Sequence, residues 1–309
     1  MLKTRIITAL ILIPLVVWAT IFLNSFWFGF ILSLFISASL WEWRKLFYIL
    51  DDIYLPYFIL ISLWMLGWVW WEYLTTGLLL QSLWDYEDFG LAIPFVTIFW
   101  LIAPLIVLNY QKDPFYNDDP TESGWLLKFL SYFDLGSEGT WWTLLLGNIL
   151  LWGMGIILWK LQTNPYYLLL LFLIVWSADV GAYFFGKKFG EHKLASNVSP
   201  GKTWEGAIGG LIAGITITII TLYFFRAFLD IEVFQISPLL EVKLVLLSSV
   251  TVIFSIIGDL FISVIKRNAD VEDTGTLFPG HGGLLDRVDS LMAGSVGFIQ
   301  CGSILGVFY

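Results

Sequence analysis

Charged residues, histidine and cysteine are scarce in this 309-residue chain. Only 13% of the residues are charged while 58% are hydrophobic, which is too little polar surface to cover a soluble globule of that length. The single cysteine, Cys301, excludes an intramolecular disulfide. Because His192 and His281 are the only two histidines, a zinc site of histidine and cysteine ligands is disfavoured.

Positively charged residues are also few. The chain has 16 lysines and arginines against 25 aspartates and glutamates, so its formal net charge is -9. Proteins that bind nucleic acid carry a basic stripe that neutralises the phosphates of the backbone, and no such stripe exists here. The sequence excludes nucleic acid as a partner but leaves room for a localised phosphate site.

Long apolar runs dominate instead, and they predict an all-α integral membrane bundle. A helix needs roughly 20 apolar residues to span a bilayer. About nine such runs occur, at 7–24, 27–43, 53–71, 91–109, 142–159, 166–185, 207–225, 241–262 and 291–309. The first run resembles a signal sequence, but no small-residue cleavage site follows it, so we predict a retained span.

The basic residues predict the orientation of these spans. If the N-terminus is cytoplasmic, so are the connecting segments near 44–52, 110–141, 186–206 and 263–290. Of the 16 basic residues, 13 then lie inside, and only Lys160, Arg226 and Lys243 lie outside. This bias is the one that membrane proteins show.

Polar clusters are confined to the second half of the chain. We therefore divide it into N-terminal spans, 1–175, and a C-terminal catalytic region, 176–309, within what we expect to be one continuous membrane unit. No repeat of fixed period is evident, so an inverted-repeat transporter gains no support.

The first cluster, residues 176–193, reads WSADVGAYFFGKKFGEHK. On a helix, Asp179 lies about two turns before Lys187, which places its carboxylate roughly 12 Å from the cytoplasmic end. A carboxylate at that depth is costly unless it is paired, solvated or bound to a metal. Asp179 is either hydrogen-bonded to neighbouring helices or part of a functional site.

The second cluster, residues 199–206, reads SPGKTWEG. It is not a P-loop, because the position that requires glycine is occupied by Ser196. Ser199 and Pro200 suit an N-cap and a first-turn proline, which predicts Lys202 and Thr203 in the first helical turn. Free N–H groups, the helix dipole and an ammonium together favour an anion site. The alternative is a capped helix with a lysine that reaches towards solvent.

The third cluster, residues 258–290, is the most specific and reads GDLFISVIKRNADVEDTGTLFPGHGGLLDRVDS. Asp259 lies about 10 Å inside the cytoplasmic end. If a helix begins near residue 286, Asp286 and Asp289 share one face of it. Carboxylates beside phosphate-binding cations suit Mg²⁺. His281 either braces the loop or takes part in catalysis.

These residues resemble the signature of the phosphatidate cytidylyltransferase family, the CDP-diacylglycerol synthases. The matching positions are Ser263, Lys266, Arg267, Asp273, Pro279, His281, Gly282, Gly283, Asp286, Arg287 and Asp289. The first two clusters also look like family elements, so the resemblance covers about 115 residues. One position departs from the pattern: where the family usually has lysine, this chain has Glu272.

The resemblance implies transfer of a cytidylyl group from CTP to phosphatidate, with release of pyrophosphate and CDP-diacylglycerol. It implies a multi-pass membrane enzyme of the bacterial inner membrane, in contact with membrane lipids, with its active site facing the cytoplasm. It also implies a homodimer. Mg²⁺ is the expected cofactor, and a second cation is left open.

On this hypothesis, the metal ligands are Asp259, Asp286 and Asp289, and they form the catalytic group together with Lys202. The expected substrate-binding residues are Ser199, Lys202, Thr203, Asp179, Lys266, Arg267, His281 and Arg287. The alternatives are a CTP-dependent kinase or cytidylyltransferase acting on another lipid such as a polyprenol, and a membrane transporter.

Overall fold

The computed structural model describes residues 2–47, 51–76, 92–112, 141–229, 238–277 and 282–308. These residues form nine α-helices: α1 Leu2–Phe22, α2 Ser25–Lys45, α3 Asp51–Thr76, α4 Ala92–Lys112, α5 Trp141–Gln162, α6 Pro165–Phe189, α7 Trp204–Leu229, α8 Pro238–Asn268 and α9 Asp289–Leu305. Strands β1 Lys193–Ala195 and β2 Ser199–Thr203 pair in an antiparallel hairpin between α6 and α7. A short 3-10 helix, Leu285–Arg287, precedes α9.

Each helix corresponds to one predicted apolar run. Six helices, α2 and α4 to α8, are long and apolar enough to cross a membrane, and α1 and α3 contain shorter apolar stretches. Large apolar side chains such as Leu60, Leu101 and Phe184 are more than 60% exposed. Such a surface suits lipid rather than water, which confirms the predicted all-α, multi-pass membrane protein.

The chain forms two compact units that alternate along the sequence. Unit 1 comprises Met1–Val96, Phe115–Pro165 and Val264–Val288, and unit 2 comprises Thr97–Pro114, Tyr166–Ser263 and Asp289–Tyr309. The functional division of the chain at residue 175 stays a prediction.

Unit 1 packs helix α2 against α3 and α5. Trp43 of α2 is fully buried, and its indole Nε1 donates a hydrogen bond to the Thr143 carbonyl of α5 at 2.9 Å. A side chain at Gly147 would collide with this indole, so glycine is what allows the close approach. The cytoplasmic end predicted for α2, which carries Glu42 and Arg44, is thereby fixed against α5.

Unit 2 combines aromatic packing with close helix contacts. The ring of Phe261 in α8 makes edge-to-face contacts with Phe99 and Trp100 of α4, at centroid distances of 5.1 and 5.5 Å. A Cβ at Gly181 of α6 would lie 2.5 Å from the Cβ of Ala213 in α7. Small residues therefore bring α6 and α7 together, as is typical of membrane helices.

Candidate active site

The GKT stretch forms a β-strand rather than a helix, so the predicted placement of Lys202 and Thr203 in the first helical turn is wrong. Ser199–Thr203 pairs with Lys193–Ala195, and α7 begins at Trp204. The fixed φ of Pro200 suits an extended backbone as well as a first helical turn, which explains the error. Thr203 caps the helix instead, because its Oγ1 accepts a hydrogen bond from Gly206 N at 3.1 Å.

The hairpin is held to the start of α7 by Glu205. Its carboxylate accepts hydrogen bonds from the backbone N–H groups of Glu191 and His192, and it lies 2.6 Å from the Nδ1 of His192. Trp204 N donates to the His192 carbonyl at 2.9 Å. These contacts fix the end of β2, and with it the position of Lys202.

Lys202 forms an ion pair with Asp259 within unit 2. Its Nζ lies 2.5 Å from Asp259 Oδ2, and both side chains are partly exposed. The hydroxyl of Ser263, one turn later in α8, lies 3.4 Å from Asp259 Oδ1. The structure thus joins two residues that the sequence placed 57 positions apart in different clusters.

Asp289 joins the same acidic group. The charges of Asp259 and Asp179 both act on its carboxyl, and Lys202 partly offsets them. The hydroxyl of Ser290, the next residue, lies 3.4 Å from Asp179 Oδ1. A side chain at Gly258 would collide with the Asp289 carbonyl oxygen, so glycine in α8 is what lets the start of α9 approach this closely.

Asp286 lies in unit 1 and uses both carboxylate oxygens in hydrogen bonds. Its Oδ1 accepts from Lys266 Nζ at 2.8 Å. Its Oδ2 accepts from Thr274 N at 2.9 Å, from Thr274 Oγ1 at 3.0 Å and from Gly283 N at 3.0 Å. Asp286 thereby links the end of α8 to both sides of the loop that precedes the 3-10 helix.

These contacts lower the pKa of the Asp286 carboxyl. Burial alone would raise the pKa by penalising the charged form. The hydrogen bond and the positive charge of Lys266, with the N–H groups of Thr274 and Gly283, outweigh that penalty and bring the pKa below its ordinary value. These contacts therefore favour the charged form of Asp286.

The α-helix that would place Asp286 and Asp289 on one face does not form. Asp286 lies in the 3-10 helix and Asp289 is the first residue of α9, so no continuous α-helix contains both. Gly282 has φ of +79°, a left-handed conformation that bends the chain before this point. A Cβ there would also lie 2.9 Å from Oδ2 of Asp286, so space and φ both favour glycine.

Glu42 is the functional candidate that sequence reasoning missed. It lies near the end of α2, is only 5% exposed, and accepts hydrogen bonds from Thr274 Oγ1 and Leu285 N. An acidic residue inside an apolar run was the available signal, since such residues are costly and usually functional. Its position in the first half of the chain, away from the polar clusters, concealed it.

The remaining predicted residues are placed as follows. Arg267 and Arg287 are exposed in unit 1, and so is Glu272, while Ser199 is half-buried in β2 of unit 2. His281 and Pro279 lie outside the residues that the structure describes. The predicted roles of these residues stay predictions.

The acidic group of unit 2 fits Mg²⁺. Within the described ranges, no three His, Cys, Asp or Glu side chains form a ready-made metal cage. Mg²⁺ does not require one, because it binds through one or two carboxylates and completes its shell with water and substrate phosphates. Asp259 and Asp289 supply two acidic side chains that lie close enough to interact electrostatically. A divalent cation that arrives with a nucleotide would offset negative charge on this pair.

Helices, hairpin and acidic group together define a multi-pass membrane protein whose polar groups suit phosphate and metal chemistry. The sequence profile of the cytidylyltransferase family matches residues 3–304. The chain belongs to this family.

Three relatives illustrate the similarity. The chain is 32% identical to phosphatidate cytidylyltransferase of Haemophilus influenzae over 305 residues, which cover 95% of this chain and 96% of the relative. It is 33% identical to phosphatidate cytidylyltransferase of Pseudomonas aeruginosa over 301 residues, or 95% and 94% of the two chains. A Staphylococcus haemolyticus relative of the same name is 44% identical over 127 residues, which cover 41% of this chain and 45% of the relative.

Proposed function

We propose that this protein transfers the cytidylyl group of CTP to phosphatidate and forms CDP-diacylglycerol and pyrophosphate. Relatives that carry the name of this activity match nearly the whole chain. The observation that carries the proposal in the structure is the group formed by Lys202, Asp259 and Asp289, which combines a cation for phosphate with carboxylates for a metal.

Lys202 binds CTP phosphate in this proposal. Its side chain is 24% exposed and its ammonium is paired with Asp259, so an incoming triphosphate would compete with that carboxylate. Ser199 pairs with Ala195 in the hairpin and Thr203 caps α7, so both ends of the strand that carries Lys202 are held. The hairpin thus holds the positive charge of Lys202 at a defined position for phosphate binding without forming a P-loop.

Asp259 and Asp289 would hold Mg²⁺, with Asp179 as a neighbouring acid that adds negative charge. When bound, Mg²⁺ supplies charge neutralisation on the nucleotide phosphates. Asp286 as a further ligand stays a prediction, because both its oxygens accept hydrogen bonds in unit 1. A second cation is an open part of the proposal.

The reaction needs no strong general base. The phosphate of phosphatidate is already anionic near neutral pH, and one of its oxygens attacks the α-phosphorus of CTP in line. The bond from the α-phosphorus to the oxygen that bridges the α- and β-phosphates breaks, and pyrophosphate leaves with that electron pair. Lys202 and the acidic group position the reactants and stabilise charge, as in other phosphoryl transfers.

The lipid headgroup is assigned to basic residues of unit 1. Lys266 and Arg267 lie in the last turn of α8, within the segment predicted to be cytoplasmic, whereas Arg287 of the 3-10 helix is expected to bind phosphate. Cations at such a boundary attract anionic headgroups. We infer a multi-pass protein of a bacterial inner membrane, with the nucleotide entering from the cytoplasm.

Two alternatives make different products. A CTP-dependent lipid kinase would release CDP instead of pyrophosphate, and a polyprenol-specific enzyme would ignore phosphatidate. A transporter would also place carboxylates inside the membrane but would show no lipid-dependent nucleotide turnover.

A homodimer is the expected assembly. Light scattering in detergent, which measures the mass of the purified protein, tests this expectation.

The deciding experiment measures Mg²⁺-dependent pyrophosphate release from CTP with and without phosphatidate, and identifies the lipid product by mass. We expect release only with phosphatidate, and a CDP-diacylglycerol product. Asp259→Asn should abolish it, whereas Glu241→Gln should not. Glu241 is a suitable control because it accepts a hydrogen bond from Tyr223 in unit 2 and belongs to no proposed site. A folded wild-type protein that forms CDP, or that accepts only another lipid, would contradict the proposal.

A further inference from the structure

Glu42 accepts hydrogen bonds from two residues that lie more than 230 positions later in the chain. Its Oε2 accepts a hydrogen bond from Leu285 N at 2.9 Å and another from Thr274 Oγ1 at 3.1 Å. All three residues belong to unit 1. An acidic side chain from α2 therefore holds both sides of the loop before the 3-10 helix.

The space around Glu42 is fitted to its carboxylate. A Cβ at Gly275 would collide with Glu42 Oε1, and a Cβ at Gly283 would collide with Oε2. Two glycines of the loop thus let the backbone close over this acid. Because Glu42 is buried, losing it would leave the N–H of Leu285 and the hydroxyl of Thr274 without this partner away from water.

Thr274 connects Glu42 to Asp286. Its Oγ1 lies 3.1 Å from Glu42 Oε2 and 3.0 Å from Asp286 Oδ2. A hydroxyl has only one proton to donate, so the two carboxylates share or compete for the proton of Thr274. The position of one carboxylate therefore affects the hydrogen bonding of the other, as in other buried polar networks.

We infer that Glu42 is a positioning residue for the cytidylyl transfer, which holds Thr274 and Leu285 and through them sets the position of Asp286. The inference rests on the proposed function, because Asp286 matters for turnover only if the protein is this enzyme. Glu42 itself is not assigned a contact with substrate. In this role, a residue from the first half of the chain helps to position Asp286, which lies in the second half.

Four variants test the inference. Glu42→Ala removes both hydrogen bonds, Glu42→Gln keeps an acceptor oxygen but removes the charge, and Thr274→Val removes the shared hydroxyl. Thr274→Ser keeps that hydroxyl and serves as the conservative rescue. Glu241→Gln is the matched control, since it makes the same chemical change at a glutamate that also accepts from a hydroxyl.

The expected loss is in kcat. Glu42→Ala should lower kcat roughly ten- to a hundredfold, the loss that follows from charge-assisted hydrogen bonds of ordinary strength. Glu42→Gln should lower kcat less, and Thr274→Ser should stay within about twofold of wild type. KM for CTP should change much less than kcat, because Glu42 does not touch the nucleotide.

A double-mutant cycle separates positioning from general stability. If Glu42 acts through Thr274, the double variant Glu42→Gln/Thr274→Val should be little worse than the worse single variant. If the two substitutions acted independently, their fold-reductions in kcat would multiply in the double variant. That result would overturn the inference. Wild-type kcat in Glu42→Ala would overturn it as well.

Amide hydrogen exchange in the 282–288 peptide gives a readout that does not need activity. Glu42→Ala should raise exchange there by at least about tenfold while exchange in α5 stays unchanged, because only the loop loses its anchor. Unchanged exchange in 282–288 would overturn the inference. If wild type forms no CDP-diacylglycerol, the proposed function fails, and exchange alone then decides whether Glu42 holds the loop.

Discussion

Lys202 Nζ and Asp259 Oδ2 lie 2.5 Å apart, and this pair joins the β-hairpin to helix α8. Lys202 is carried by β2, whose end is fixed by the Thr203 cap and by Glu205. Asp259 is carried by a helix that is long enough to span a membrane. Both side chains are partly exposed, so the pair is accessible to a charged substrate.

Replacement of Lys202 should remove charge stabilisation. We expect Lys202→Ala to lower kcat/KM for CTP roughly a hundredfold, which is the usual loss when one donor to a transition-state charge is removed. Lys202→Arg keeps the charge and should retain more activity. Steady-state kinetics at saturating phosphatidate measures both. Equal losses in the two variants would show that charge is not what Lys202 contributes.

Removal of a carboxylate from the acidic group should weaken the response to Mg²⁺. We expect Asp289→Asn to raise the Mg²⁺ concentration for half-maximal activity by about tenfold or more. A titration of activity with Mg²⁺ at fixed CTP measures this shift.

The same Mg²⁺ titration on Asp286→Asn tests the predicted role of Asp286 as a metal ligand. Near-normal turnover of that variant at saturating Mg²⁺ would contradict the ligand assignment.

Gly258 sets the approach of α9 to α8. Gly258→Ala should reduce activity strongly, because the new methyl group collides with the backbone carbonyl of Asp289 and moves that residue away from Asp259. Gly67→Ala is the control, since a Cβ at Gly67 meets no atom within 4 Å. The assay is CDP-diacylglycerol formation by protein of matched thermal stability. Full activity of Gly258→Ala would show that this close approach is not needed.

The pKa of Asp286 predicts how stability depends on pH. A carboxyl whose pKa is lower in the folded state stabilises the protein above its unfolded value, about 3.9, and loses that effect as pH falls through the folded value. Asp286→Asn should therefore cost about 2 kcal/mol near pH 7, and the difference from wild type should shrink below about pH 4. Thermal unfolding in detergent across this range measures it. A difference that stays constant down to pH 3 would contradict the prediction.

Glu272 departs from the family pattern but faces solvent. It is exposed in unit 1, so Glu272→Lys should leave kcat and KM for CTP within about twofold of wild type. The measurement is the CTP dependence of pyrophosphate release at physiological salt, where exposed charges are screened. A clear gain in affinity in Glu272→Lys would show that the usual lysine contacts the nucleotide.

Much of the fold was accessible from the sequence because it depends on local properties. The apolar runs predicted where helices would form, and all nine runs correspond to helices among the described residues. Six of these helices are long and apolar enough to cross a membrane. The motifs around Lys202 and Asp286 were found because charged residues stand out beside apolar spans. The hairpin was missed because Pro200 suits an extended strand as well as a helix start.

The sequence by itself determined the class of protein, the spans, and the family motifs in the second half, since hydrophobic length and residue spacing are properties of neighbouring positions. Tertiary structure alone decided the partners of the charged groups. Asp259 pairs with a lysine of the hairpin, and Thr274 contacts a glutamate 232 positions away. Such pairings depend on which helix ends pack together, and small residues such as Gly258 and Gly283 decide how closely they approach. No local pattern encodes that choice, because each partner lies in a separate element of the chain.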